Sequence, residues 1–460
     1  MARVLLAGVS SGCGKTTVTC GLLRCFQNRG LAVTSLKCGP DYIDPMFHRR
    51  VLGTASSNLD PFFLEGDMLR HLLGKKETGC DIAVLEGAMG YYDGIGFTDR
   101  CSSFTVAEST ETPVILVADC KGMGASAGAV LRGFAEYRKP GRIRGVIFNR
   151  LASRLYPAAA EAAKEMGLIP LGYLPREKDW ALESRHLGLV TAGEVHDLRE
   201  KIDSLSRTME ETVDLDGVYR LARTAPPLTE PDPYPFPKET IPAKIAVAED
   251  EAFCFLYPDN LRLLKRLGCT LLPFSPLRDK ALPKGAGGLL LSGGYPELYA
   301  KALSENTEMR RAVREVVRDG MPCVAECGGF LYLQGSLVSE DGARFPMAGA
   351  LPGTSRRGDR LRQFGYITVT AERDYLLAPA HRPLKAHEFH YWQTDCPGED
   401  LRAVKEGGAG TWNCGIAGDS VYAGFPHFYF YGNPGMAERF AERCVSYELE
   451  RTVQTDGTAG

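Results

Sequence analysis

Short apolar runs recur through the first half of the chain, each followed by a polar or glycine-rich step and then a longer mixed stretch. The runs Arg3–Ala7, Ala32–Lys37, Asp81–Glu86, Pro113–Ala118, Arg144–Phe148 and Leu168–Tyr173 read as strands, and helical patterns lie between several of them. Strands alternating with helices predict a mostly parallel sheet covered by helices on both faces. Binding sites in such sheets gather at the C-terminal ends of the strands.

From Thr224 the pattern breaks into Thr-Ala-Pro-Pro-Leu-Thr-Glu-Pro-Asp-Pro-Tyr-Pro-Phe-Pro. Proline at this density suits neither a helix nor a central strand and predicts a stiff, extended linker. Alternation resumes at Lys244–Ala248 and continues through a helix near Asn260–Leu267, a strand near Thr270–Pro273 and the run Gly288–Leu291. A helix near Met309–Arg318 and a strand at Pro322–Ala325 follow. The expected organisation is an α/β domain over 1–223, a linker over 224–242, a second α/β domain over 243–450 and a disordered polar tail over 451–460.

Composition narrows this only a little. A chain of 460 residues is too long for one ordinary domain. A formal net charge of -3 argues against a broad nucleic-acid surface. No apolar stretch approaches the length that crosses a bilayer, and the start, Met-Ala-Arg-Val-Leu-Leu, runs directly into a strand pattern with no secretory signal. The 14 cysteines lack the paired spacing of zinc sites and read as reduced thiols of a cytoplasmic protein.

The first candidate chemistry follows the first strand. Gly8-Val9-Ser10-Ser11-Gly12-Cys13-Gly14-Lys15-Thr16-Thr17 is a glycine-rich turn opening a helix. Gly12 and Gly14 allow backbone N–H groups to close around phosphate oxygens. Lys15 is placed for the outer phosphates of ATP, and the Thr16 hydroxyl for Mg²⁺. Five residues, not the common four, separate Gly8 from Gly14. After the second strand, Lys37-Cys38-Gly39-Pro40-Asp41-Tyr42-Ile43-Asp44-Pro45 brings a lysine and two carboxylates to the same sheet edge. Carboxylates there suit a metal ion, and lysine suits charge on a transferring phosphoryl group. Glu86 ends an apolar strand and is a further metal-ligand candidate, while Asp93 lies in a glycine-flanked loop. Asn149, at the end of another strand, is a candidate for the adenine edge.

The second candidate chemistry lies in the other half. Val324-Ala325-Glu326-Cys327-Gly328-Gly329-Phe330 sets a cysteine between a strand and a glycine-led helix, an arrangement that exposes a nucleophile. The N–H of Gly328 is one oxyanion donor, and Gly294 of Ser292-Gly293-Gly294 is placed as a second. Three histidines are candidates for the base, His387, His390 and His427, and spacing alone does not choose among them.

Taken with Asn58-Leu59-Asp60 and Glu86-Gly87-Ala88-Met89-Gly90-Tyr91-Tyr92-Asp93-Gly94, these segments resemble the cobyrinate/cobyric acid synthase family of amidotransferases, in its cobyrinic acid a,c-diamide synthase branch. The resemblance runs from Val4 to about Tyr447. The N-terminal half is similar to dethiobiotin synthetase, which shares the widened loop. The C-terminal half is similar to class I glutamine amidotransferases. The resemblance implies a ligase that uses ATP, Mg²⁺ and glutamine to amidate a corrinoid polycarboxylate, cobyrinic acid. It assigns Cys327 as nucleophile and His427 as base. It places Gly12, Gly14, Lys15, Thr16, Thr17 and Asn149 at ATP, and Thr16, Asp44 and Glu86 at the metal. Lys37, Asp41 and Asp93 fall to phosphoryl transfer and substrate. The family usually has a second histidine two residues after the base, where this chain has Tyr429, and no triad acid is obvious. Hydrogenobyrinic acid and a nickel-sirohydrochlorin are alternative substrates for the same chemistry, and a partitioning-type ATPase is the alternative class. The expected partners are these small molecules, with no nucleic acid and no membrane; the oligomeric state, a homodimer included, stays open. Free ammonia is mostly protonated near neutral pH, so a protected passage between the two centres is expected.

Overall fold

The computed structural model describes the chain except residues 77–78, 178–179, 181–191, 229–230, 362, 409 and 458–460. The chain divides into two compact units, Met1–Pro233 and Tyr234–Gly460. The division falls inside the proline-rich segment. The far end of that segment packs on the second unit, where the Arg266 guanidinium lies 3.6 Å from the Phe236 ring centre.

The first unit is built on seven strands. They are β1 (Ala2–Gly8), β2 (Val33–Cys38), β3 (Ala55–Leu59), β4 (Ile82–Glu86), β5 (Val114–Asp119), β6 (Ile143–Asn149) and β7 (Ile169–Tyr173). Their order in the sheet is β3-β2-β4-β1-β5-β6-β7, and every pairing is parallel. Six of these strands match apolar runs. β3, Ala-Ser-Ser-Asn-Leu, does not, because its polar side chains are buried as hydrogen-bonding groups rather than as hydrocarbon. Ser35 Oγ, for example, donates to Ser56 Oγ at 2.8 Å. After β4 the chain crosses to the other side of β1 to form β5, so the end of β1 lies at the point where the winding reverses. Helix α1 (Lys15–Asn28) starts there and buries Val18, Leu22, Cys25 and Phe26 against the sheet and the helix Ala192–Thr212.

The second unit holds a six-stranded sheet. Its strands β8 (Lys244–Ala248), β9 (Thr270–Phe274), β10 (Gly288–Leu291) and β11 (Cys323–Glu326) are joined by Val421–Gly424 and Ile416–Ala417. All pairings are parallel except the last, at the edge. Two further four-stranded sheets, one mixed and one antiparallel, were not foreseen as separate layers. Their strands are short or alternate between buried and half-buried positions, as in Phe364–Ala371, so they leave no continuous apolar run. The polar tail expected over 451–460 is instead helical through Gly457, as the end of the helix Gly435–Gly457. No proline or glycine interrupts that helix between Met436 and Asp456, so its hydrogen-bond ladder continues past the buried turns.

Strand β11 turns into the short helix Gly328–Leu333 with no room to spare. A Cβ on Gly329 would stand 2.2 Å from the Leu291 carbonyl oxygen of β10. Backbone cannot yield as a flexible side chain can. Gly329→Ala is therefore expected to destabilise the protein by about 1–3 kcal/mol, read from urea unfolding; an unchanged midpoint would contradict this packing.

Candidate active sites

The first centre is assembled by strand register. Lys37 of β2 pairs with Glu86 of β4, and Glu86 pairs with Leu6 of β1, two residues before the glycine-rich loop. Paired residues in parallel strands project to the same face. The Lys37 ammonium accordingly reaches Glu86 Oε1 at 2.9 Å and also donates to Asp44 Oδ2. The Thr16 hydroxyl, from the first turn of α1, donates to the same Glu86 oxygen at 2.7 Å. Lys15 turns back over its own loop, donating to Ser10 O at 3.0 Å and to Met89 O. Thr17 follows on the first turn of α1, half-buried.

These charges are almost wholly withdrawn from water. Burial alone would lift Asp44, but the Lys37 ammonium overrides it and holds the carboxyl at about 2. Lys37 in turn is held well above its ordinary value: Asp44 and Glu86 outweigh desolvation. Burial and the neighbouring Asp44 charge push Asp41 up to about 7. Burial opposes ionisation of Glu86 as well, while Lys37 favours it. Burial lowers Lys15.

Two further residues make local hydrogen bonds. Asn149 Nδ2 donates to Cys13 O of the loop at 2.8 Å, and its Oδ1 accepts from Arg150 N. The amide thus braces the phosphate loop. It lies so close that a Cβ on Gly14, itself at φ +96°, would stand 2.1 Å from Nδ2. Asp93 is exposed and closes a local turn by accepting the Gly90 N–H at 2.8 Å. Asp41 accepts Ile43 N–H at 2.8 Å, and Asn58 holds this loop by donating to Gly39 O and Asp41 O. Sequence reasoning missed His48. It is fully buried, with Nε2 3.6 Å from Glu86 Oε2 and Nδ1 2.9 Å from Ser35 Oγ, and burial pushes it down to about 4. A histidine four residues beyond Asp44 on the same helix was the available signal.

Among the described residues no group of three His, Cys, Asp or Glu side chains forms a metal cage. Magnesium rarely uses one, taking one or two carboxylates and completing its shell with phosphate oxygens and water. Glu86 fits that requirement, with Oε1 on the Thr16 hydroxyl and Oε2 buried without a hydrogen-bond partner, 3.6 Å from His48 Nε2.

The second centre is also built at strand ends. Cys327 follows β11 with φ +46° and ψ -101°, a sparsely populated backbone conformation for a non-glycine residue. Its N–H donates to Gly424 O at 2.7 Å, which ties the turn to the neighbouring strand. That strand leads to His427, which hydrogen-bonds the Cys327 thiol. His427 Nδ1 lies 3.2 Å from Glu326 Oε2, and Glu326 Oε1 accepts the Phe428 N–H at 3.0 Å. Burial disfavours the imidazolium, but Cys327 and Glu326 together raise His427 to about 10. Gly294 N lies 2.9 Å from where a Cβ on Gly328 would stand, so the main chains of these two glycines approach closely. Of the three candidate histidines only His427 bonds to Cys327. His387 packs on Phe364 and Tyr366 and is pushed down to about 3 by burial and by His427. His390 stacks on Phe425 with ring centres 3.7 Å apart.

A phosphate loop backed by a carboxylate–lysine cluster, and a cysteine–histidine pair on a strand–helix turn, define a nucleotide-binding glutamine amidotransferase. Residues 4–190 match the CobQ/CobB/MinD/ParA nucleotide binding domain, and residues 244–434 match the CobB/CobQ-like glutamine amidotransferase domain. Cobyrinate a,c-diamide synthase of Priestia megaterium is 36% identical over 458 residues, covering 98% of each chain. That of Salmonella typhimurium is 39% identical over 447 residues, covering 95% of this chain and 96% of its own. The chain belongs to the cobyrinate a,c-diamide synthase family and is a glutamine-dependent, amide-forming ligase. Among the described residues no helix is long and apolar enough to cross a membrane.

Lys37 carries the electrostatics of the first centre. Lys37→Met would leave two buried carboxylates without a counter-charge, at a cost of about 3–5 kcal/mol. In the parent, the depressed Asp44 contributes stability that is present above its unfolded value of about 3.9 and is lost as pH falls toward 2. In the variant both carboxyls rise and become neutral as pH falls. Urea unfolding should therefore show a larger deficit at pH 8 than at pH 5; an equal deficit would place Lys37 outside the charge balance.

Proposed function

We propose that the protein converts cobyrinic acid to its a,c-diamide in cobalamin biosynthesis, amidating two acetate carboxylates in turn. The observation that carries this reading is the Cys327–His427 contact in the same chain as the Lys15, Thr16, Lys37, Asp44 and Glu86 cluster.

At the second centre the Cys327 thiolate attacks the carboxamide carbon of glutamine. The oxyanion accepts the N–H groups of Gly328 and Gly294. The His427 imidazolium gives its proton to the departing nitrogen as the C–N bond breaks, so that ammonia leaves and a thioester remains. Water then attacks the thioester with His427 as base, and glutamate departs with the thiolate restored.

Ammonia does not displace oxide from a carboxylate. At the first centre the substrate carboxylate therefore attacks the γ-phosphorus of ATP, giving an acyl phosphate and ADP. Ammonia then displaces phosphate and forms the amide. The loop N–H groups and Lys15 hold the triphosphate, and Lys37 and Asp41 attend the transferring group. Thr16, Asp44 and Glu86 would hold Mg²⁺, which neutralises phosphate charge when bound.

Mass spectrometry of products formed with ATP, Mg²⁺ and glutamine is expected to show cobyrinic acid gaining two amides, with ADP and phosphate released. Gain on hydrogenobyrinic acid or nickel-sirohydrochlorin alone would reassign the substrate. Cys327→Ser is expected to abolish glutamine-dependent amidation and to keep amidation from added ammonia. Lys15→Ala is expected to lose both; synthesis by Lys15→Ala would contradict its place at ATP.

A further inference from the structure

We infer that Glu326, the residue immediately before the nucleophile, fixes the tautomer and orientation of His427 and completes a Cys327–His427–Glu326 triad. The inference rests on the glutamine-hydrolysing role proposed for Cys327. That role requires His427 to present one ring nitrogen to the thiol and to have its other N–H engaged. Glu326 meets the second need with both oxygens. Oε2 lies 3.2 Å from Nδ1, and Oε1 takes the N–H of Phe428, the residue after the base. One carboxylate thus grips the ring and the main chain that carries it.

The backbone explains how sequence neighbours reach opposite sides of one imidazole. Glu326 ends β11 in register with Gly424, three residues before His427. The φ of +46° at Cys327 then turns the chain sharply, so the thiol and the carboxylate leave the strand in different directions. The remaining ring edge faces Gly293, where a Cβ would stand 2.6 Å from His427 Cε1. The other titratable groups around this region are committed elsewhere. His387 pairs with His427 through main-chain hydrogen bonds of 3.0 and 2.9 Å, and burial keeps its ring neutral. The Tyr422 hydroxyl donates to Pro426 O at 2.8 Å. Glu326 takes no proton in the cycle. It stabilises the imidazolium that forms with the thiolate and that later protonates the leaving nitrogen.

Glu326→Gln keeps the shape and removes the charge. In the full chain it should lower kcat for glutamine hydrolysis roughly 10²-fold with little change in KM. The midpoint of the His427 imidazolium, followed by NMR against pH, should move downward by about one unit, because the carboxylate that favours the charged ring is gone. Glu326→Asp, which keeps the charge, should retain the parent midpoint and recover part of kcat. An unmoved imidazolium midpoint in Glu326→Gln would overturn the inference, even with kcat reduced, since it would make the residue purely a packing element. Should Glu326→Gln not fold, Glu326→Asp decides: a midpoint at that of a free imidazole overturns the inference, and the parent midpoint supports it. A parent protein that hydrolyses no glutamine would overturn the proposed function with it, whereas parent-like hydrolysis by Glu326→Gln would count against Glu326 alone.

Discussion

A lysine ammonium buried between two carboxylates is the constraint on which the first centre depends. Lys37, Asp44 and Glu86 come from a strand, a helix and a second strand, and each is buried. An isolated carboxylate at that depth would take up a proton rather than remain charged. The Lys37 ammonium keeps Asp44 ionised and supports the Glu86 oxygen that also accepts the Thr16 hydroxyl. The register β2-β4-β1 is what makes this possible, since it lines up Lys37, Glu86 and the start of the phosphate loop on three adjacent strand ends. Sheet topology and charge balance are one condition here.

The second unit applies the same rule with other chemistry. Glu326 and Cys327 leave the end of β11, and His427 follows the strand beside it. A carboxylate, a thiol and an imidazole are again buried together. Histidine replaces lysine as the cation, and this changes what the centre can do. An ammonium held far above neutral pH stays charged and acts as a fixed field. An imidazole exchanges its proton with a thiol and then with a leaving nitrogen, while a carboxylate behind it sets where that proton resides.

Most of this was legible in the sequence, and the gaps share a cause. Most strands of the two main sheets announced themselves as apolar runs, and the loop Gly8–Thr17 and the turn Glu326–Gly329 carried their spacing openly. β3 was hidden because serine and asparagine fill its buried face. His48 was hidden because its importance lies in a partner 38 residues away, Glu86, and no spacing rule connects them. Glu326 was read as part of a motif but given no role, because its relation to His427 exists only once two strands lie in parallel register. Asn149 was placed at the correct sheet edge, but its bond to the loop backbone was not legible, since it too joins separate elements. Local pattern specifies elements well; functions that arise from pairing between elements stay out of its reach.

The way polar atoms are satisfied separates the two centres. Both oxygens of Glu326 have partners, and His427 meets both the carboxylate and Cys327. This constellation is satisfied within the protein itself. The first centre keeps unspent capacity. Glu86 Oε2 and His48 Nε2 are buried without hydrogen-bond partners, and Lys15 rests on main-chain carbonyls of its own loop and of Met89. On the function proposed above, the site takes a triphosphate and a hard cation, and its present bonds can be exchanged for stronger, charge-assisted ones. The chain thus pairs a preassembled nucleophile with a phosphate site that its ligands finish. That division suits a ligase whose nitrogen donor is a neutral amide and whose energy source carries the charge.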